Sequence, residues 1–203
     1  HAEFDFNILL IAERLLTDST YVQESRIAYD RDPDPFVITR AIASFERSLL
    51  SGESRYDQYV NGDHTVLSIG ERNGMELFFS ERLSCVTCHS GFNFTNYSFQ
   101  NNGLYEEYTD PGRFRLTNNE ADRALFKVPT LRNVEVTAPY MHDGSLSSLE
   151  DVIEHYNRGG ANHPHKSQLV KPLNLTEQEK DDLVAFLKSL TDDHFITNPK
   201  FKN

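Results

Sequence analysis

Two thiols and an imidazole stand together at Cys85-Val86-Thr87-Cys88-His89. In a C-x-x-C-H segment both sulfurs can add across the two vinyl groups of one porphyrin. The turn that follows sets the imidazole under the ring as proximal iron ligand. A thioredoxin-type pair needs a surrounding βαβ pattern, whereas these flanks read as helix and loop. A zinc site needs a second Cys or His pair, and with two cysteines in the whole chain only His163 and His165 could supply it. The spacing therefore predicts covalent haem c in a c-type cytochrome domain.

Haem ligation of this kind takes place outside the cytoplasm, so the expectation is a periplasmic or otherwise exported protein. The chain opens His1-Ala2-Glu3-Phe4-Asp5, with no basic stretch ahead of an apolar core, as a mature form or a fragment would. The apolar run Ile8-Leu9-Leu10-Ile11-Ala12 is broken at Glu13-Arg14, too soon for a membrane span. A formal charge of −11 argues against nucleic acid and for encounter with a basic or dipolar redox protein.

The elements that must position the motif are helical. Asn7 to Leu16 is apolar at helical spacing. Asp34-Pro35 reads as an N-cap followed by proline at the first helical position. Val37, Ile38, Ala41, Ile42, Phe45 and Leu49 share one face of a helix from Phe36 to Leu50, closed by Gly52. The run Tyr29-Asp30-Arg31-Asp32, with Pro33 and Pro35 after it, marks the turn between these two helices. Ser68 to Ser80 forms a third, with Gly74 one turn from Phe78, so that another helix can approach closely there. A polar stretch from Gly91 to about Ala124 lacks periodicity, and loops of that length are often functional. A short helical turn is expected at 129–133 and a helix from Ser147 to Tyr156, with Ser148 and Asp151 at its capped start. The last helix, Thr176 to Leu190, opens on a Thr176-x-x-Glu179 capping box. The fold class is all-α: a class I cytochrome c-like haem domain over 66–203, with a helical segment over 1–65 before it.

The run Phe126-Lys127-Val128-Pro129-Thr130-Leu131-Arg132-Asn133-Val134, followed by Thr137-Ala138-Pro139-Tyr140-Met141-His142-Asp143-Gly144, resembles the C-terminal haem domain of the bacterial di-haem cytochrome c peroxidase and MauG family. Ala41-Ile42-Ala43-Ser44-Phe45-Glu46-Arg47-Ser48-Leu49 resembles the helix that links that family's two haem domains. The resemblance implies an oxidoreductase in which hydrogen peroxide reacts at an N-terminal haem, while the haem of this domain exchanges electrons. The partners it implies are the N-terminal haem domain, a redox donor protein (a small cytochrome or copper protein) or a protein substrate, and a second copy in a homodimer. One C-x-x-C-H is present instead of two, and there is no tryptophan of the kind the family places between its haems. Residues 1–65 then correspond to the tail of the N-terminal domain and the linker, and the chain to a fragment or half of a larger protein. A single-haem electron-transfer cytochrome is the alternative. Glu3 matches the position of the family's distal acid; otherwise it is an ordinary surface glutamate.

Two side chains compete for the second axial position. Residue chemistry alone favours Met141, whose thioether follows the haem histidine at a spacing common in cytochromes and raises the potential. The other methionine, Met75, belongs to a core helix. The family register instead places the ligand fourteen residues beyond His142, at Tyr156, where peroxidases carry methionine and MauG-like members tyrosine. The resemblance favours Tyr156, a hard anionic donor that lowers the potential; a buried core tyrosine is the other reading. His155 is a third candidate. Arg132 suits either a haem propionate or a surface salt bridge. His142 suits a haem-edge residue or a structural histidine, and His163 and His165 a surface loop. The resemblance also implies a calcium ion held by backbone carbonyls at Thr137 and Pro139, with an asparagine from the N-terminal domain that this chain lacks.

Overall fold

The computed structural model describes residues 7–201, so Glu3 lies outside the described residues. The chain divides into two compact units, His1–Leu50 and Ser51–Asn203.

Among the described residues the first unit holds three helices, α1 (Ile8–Leu16), α2 (Ser19–Tyr29) and α3 (Pro35–Ser48). Asn7, Asp18 and Asp34 cap their N-termini with side-chain oxygens, and Pro35 sits at the first helical position of α3. The sequence predicts two helices here and the structure has three. The Asp18 cap restarts the helix after Thr17, a break that apolar spacing does not reveal. Asp30 takes a left-handed conformation and ends α2 in the expected turn. The α3 helix stops at Ser48, short of Gly52.

The second unit is built on α4 (Arg55–Val60), α5 (Ile69–Phe79), α7 (Leu149–Arg158) and α8 (Glu177–Lys188), with shorter α6 (Phe114–Thr117) and α9 (Asp193–Thr197). Both α5 and α8 begin with reciprocal capping boxes, Ser68 with Glu71 and Thr176 with Glu179. They cross at Gly74. A Cβ there would sit 1.9 Å from the Asp182 carbonyl oxygen and 2.8 Å from the Phe186 Cβ, so only glycine permits the approach. Around the crossing Phe78, Phe94, Leu183, Phe186, Leu187 and Leu190 close the core, with Met75 packed against it.

The stretch before α4 is tied to this unit. Gly52 and Glu53 donate backbone N–H groups to Asp192 Oδ2 at 2.9 and 3.0 Å, and Tyr56 N donates to the Ser189 carbonyl. The structural division at Leu50 and the sequence boundary at 65/66 differ by this stretch. The loop after the haem motif is less irregular than expected. Phe99–Gln100 (β1) pairs antiparallel with Phe126–Lys127 (β2), a two-stranded ribbon that the sequence reading omitted because two-residue strands carry no periodicity. The helical turn expected at 129–133 comes later, as a 3-10 turn over Val134–Val136. Among the described residues no helix is long and apolar enough to cross a membrane.

Candidate haem site

The cysteine pair follows α5 after a short turn, on a 3-10 turn, Cys85–Thr87, and the His89 N–H bonds the Cys85 carbonyl at 2.9 Å. One turn of chain thus carries both sulfurs and the imidazole. The sulfurs are not joined to one another. Burial pushes the Cys85 thiol up to about 11 and raises Cys88 as well, so both are neutral thiols at ordinary pH. His89 Nδ1 lies 3.0 Å from the Phe94 carbonyl oxygen. With the proton on Nδ1 the ring lone pair is at Nε2, the tautomer that a metal-binding imidazole needs. Burial holds His89 below its usual range, against the raising effect of the Phe94 and Pro129 carbonyls. A neutral imidazole and two neutral thiols on one turn fit covalent haem. They do not fit zinc: among the described residues no three of His, Cys, Asp and Glu come together as a metal site.

His163 and His165 are not a simple surface loop. His163 Nδ1 lies 3.3 Å from Asn101 Nδ2, its ring stands edge-on to Tyr108 at 5.1 Å, and His165 Nδ1 faces the Arg123 carbonyl at 3.1 Å. These bonds belong to the long loop. Asn101 is fully buried, and its amide bonds the Ala124 carbonyl, the Gly103 N–H and the Tyr108 hydroxyl. Asn102 follows it, accepting the Leu104 N–H at 3.2 Å.

The loop at 101–103 runs against the C-terminal end of α7. Gly160, at φ +64°, admits it: a Cβ there would come within 2.8 Å of the Asn102 and Gly103 carbonyl oxygens. Tyr156 projects from α7 with the Asn102 side chain near its hydroxyl. The sulfurs of Cys85 and Cys88 and the Tyr108 hydroxyl are close enough to act on it electrostatically. Burial is the main cause that raises its pKa, the three neighbours add to this, and the Asn102 side chain opposes it. Tyr156 thus lies near both sulfurs of the haem motif. Met141 meets the same asparagine: its Sδ accepts from Asn102 Nδ2 at 3.1 Å. His155 is turned aside, with Nε2 3.1 Å from the Asn102 backbone carbonyl.

Arg132 takes the salt-bridge alternative, but inside the fold rather than at the surface. Its Nη1 lies 2.5 Å from Asp57 Oδ2, its Nε donates to the Phe92 carbonyl at 2.8 Å, and its guanidinium stacks over the Phe92 ring. His142 stacks on Phe126 with ring centroids 3.9 Å apart, beside Tyr108, which is the structural alternative for that residue. Thr137 and Pro139 are exposed. Asn101, Asn102 and Tyr108 escaped the sequence reading. Their only signal was the turn-forming Asn101-Asn102-Gly103 run.

The family model described as di-haem cytochrome c peroxidase matches residues 1–65, and the cytochrome c model matches residues 72–191. The chain is 38% identical over 193 residues to the methylamine utilization protein MauG of Methylorubrum extorquens, covering 93% of this chain and 54% of that protein. It is 41% identical over 169 residues to the cytochrome c551 peroxidase of Nitrosomonas europaea, covering 81% of this chain and 46% of that one. A crystal structure of a MauG-like protein associated with microbial copper homeostasis superposes with a TM-score of 0.85 at 36% identity, over 97% of this chain and 65% of that one. The chain spans about half the length of the curated relatives it matches. With the C-x-x-C-H turn, the α5/α8 crossing and both matches in agreement, this chain belongs to the di-haem cytochrome c peroxidase and MauG family and carries its cytochrome c domain.

Proposed function

We propose that this chain is the electron-transfer half of a di-haem peroxidase or MauG-like oxidase that works outside the cytoplasm, with hydrogen peroxide consumed at a second haem in an N-terminal domain. Residues 1–65 would form the tail of that domain and the linker. Cys85 and Cys88 would hold the haem through thioethers, and His89 Nε2 and Tyr156 would ligate its iron. The observation that carries this reading is the nearness of Tyr156 to both sulfurs, while His155 is held to the Asn102 carbonyl.

Bound haem supplies a one-electron redox centre. The chain's own residues do the rest. The Phe94 carbonyl orients the imidazole, burial keeps His89 neutral, and Asn102 of the loop lies beside Tyr156. Electrons would come from a small cytochrome or copper protein, or from a protein substrate, met by the acidic surface. Glu3 is proposed as the distal acid of the second haem, and the Thr137 and Pro139 carbonyls as this chain's share of a calcium site.

The axial assignment is tested by visible spectroscopy of the oxidised holoprotein. Tyr156→Phe should open the iron to exogenous ligands, while Met141→Leu should leave the spectrum unchanged; the reverse pattern sinks the assignment. With His89 and Tyr156 both as ligands the iron would have no open position, so the chain alone should show no strong peroxidase turnover. The second reading, a mono-haem electron-transfer cytochrome, rests on the single C-x-x-C-H. Counting haems on the full-length polypeptide by mass spectrometry separates the two.

A further inference from the structure

Two of the three candidates for the second axial position bond to one residue, and the third lies beside it. Asn102 donates from Nδ2 to the Met141 thioether at 3.1 Å, its backbone carbonyl faces His155 Nε2 at 3.1 Å, and its side chain lies near the Tyr156 hydroxyl. The carboxamide oxygen is turned the other way: Oδ1 accepts the Leu104 N–H at 3.2 Å, a donor it shares with the Tyr108 hydroxyl at 2.8 Å, which leaves the NH2 group toward Met141. Its backbone is equally constrained: the buried Asn101 amide anchors the preceding residue, and the next residue's carbonyl accepts the Ala161 N–H at 2.6 Å. Met141 is held in a left-handed conformation, φ +73°, which a non-glycine residue adopts only under strain. Its side chain is thus placed by the surrounding structure, not by its own preference.

We propose that Asn102 is a positioning residue that selects the iron ligand by keeping the Met141 thioether away from the iron. This rests on the reading of Tyr156 as ligand. The chemistry is that of the two donor atoms. A thioether has two lone pairs, and an N–H on one of them both weakens it as a ligand and fixes its direction. With the soft donor held in this way, the hard oxygen donor of Tyr156 is left to the iron.

The test uses the haem-loaded chain, with spectrum and reduction potential as readouts. In Tyr156→Phe the Met141 sulfur should still be held, so the site binds an added ligand such as imidazole and shows no thioether-to-iron charge-transfer band. In Tyr156→Phe combined with Asn102→Leu the released thioether should bind: the band appears and the potential rises well above that of the single variant. Asn102→Ser, which keeps an acceptor for the Leu104 N–H but is too short to reach Met141, should behave as Asn102→Leu does if the leucine variant folds poorly. If both double variants keep the open site of Tyr156→Phe, the selecting role is overturned while the ligand assignment stands. If Tyr156→Phe alone leaves the spectrum unchanged, the ligand assignment falls, and the proposal with it.

Discussion

In the first unit Ile42 is 54% exposed and Leu50 72%, although α1 and α3 follow helical periodicity closely. In the second unit Phe186 and Leu190 are fully buried, although much of that unit is irregular loop. Periodicity marks a face that can be covered; it does not supply the cover. Three short helices enclose little volume, and the buried side chains on them are Ala12, Ser25 and Val37. The second unit brings residues far apart in sequence to one crossing, and its loop is tied down by side-chain amides instead of a regular ladder. Order there follows from nonlocal contacts, and so does the site.

The largest effect expected is all-or-none. Cys85→Ala together with Cys88→Ala should abolish covalent haem, and pigment surviving acid-acetone extraction in that variant would contradict thioether attachment. Next is the buried ion pair. Arg132→Ala leaves Asp57 with Ser54 as its remaining side-chain partner, and breaking a buried pair from one side costs about 3–5 kcal/mol. Urea unfolding that shows a loss below about 1 kcal/mol would mean the pair is not desolvated as described.

The contrast between the units can be tried directly at one residue in each. Gly74→Ala forces a methyl into the Asp182 carbonyl and should cost about 3 kcal/mol. Ile42→Ser, on the exposed side of α3, should stay within about 1 kcal/mol in the same denaturation assay. Comparable losses at the two positions would erase the distinction.

The smallest effect concerns acid. The Arg82 guanidinium beside Glu179 holds its carboxyl down at about 2, against an ordinary value of 4.5, with the Thr176 N–H helping. A depressed folded-state value stabilises above the ordinary one and is lost as pH falls from about 4.5 toward 2. Arg82→Ala should flatten the dependence of stability on pH in that window, by less than about 1 kcal/mol because the pair is partly exposed. An unchanged slope would place the acid sensitivity elsewhere.

Local features were legible without a structure. The haem motif, the Asp34-Pro35 start of α3, the Thr176 capping box and the Ser148 cap are short-range patterns whose chemistry lies within a few residues, and each folds as its spacing requires. Gly74 was legible too, since a glycine one turn from a phenylalanine marks a close crossing. The neighbours of Arg132 were not, because Asp57 lies seventy-five positions away and no pattern links them. Nor was the meeting at Asn102, where Met141 and His155 come together from a strained turn and a helix through bonds spanning thirty-nine and fifty-three positions. By itself the sequence determined what chemistry the chain can hold and where its helices start. Only the tertiary structure decided which donor atoms meet at Asn102, because that depends on side-chain amides closing a loop with no periodicity to read.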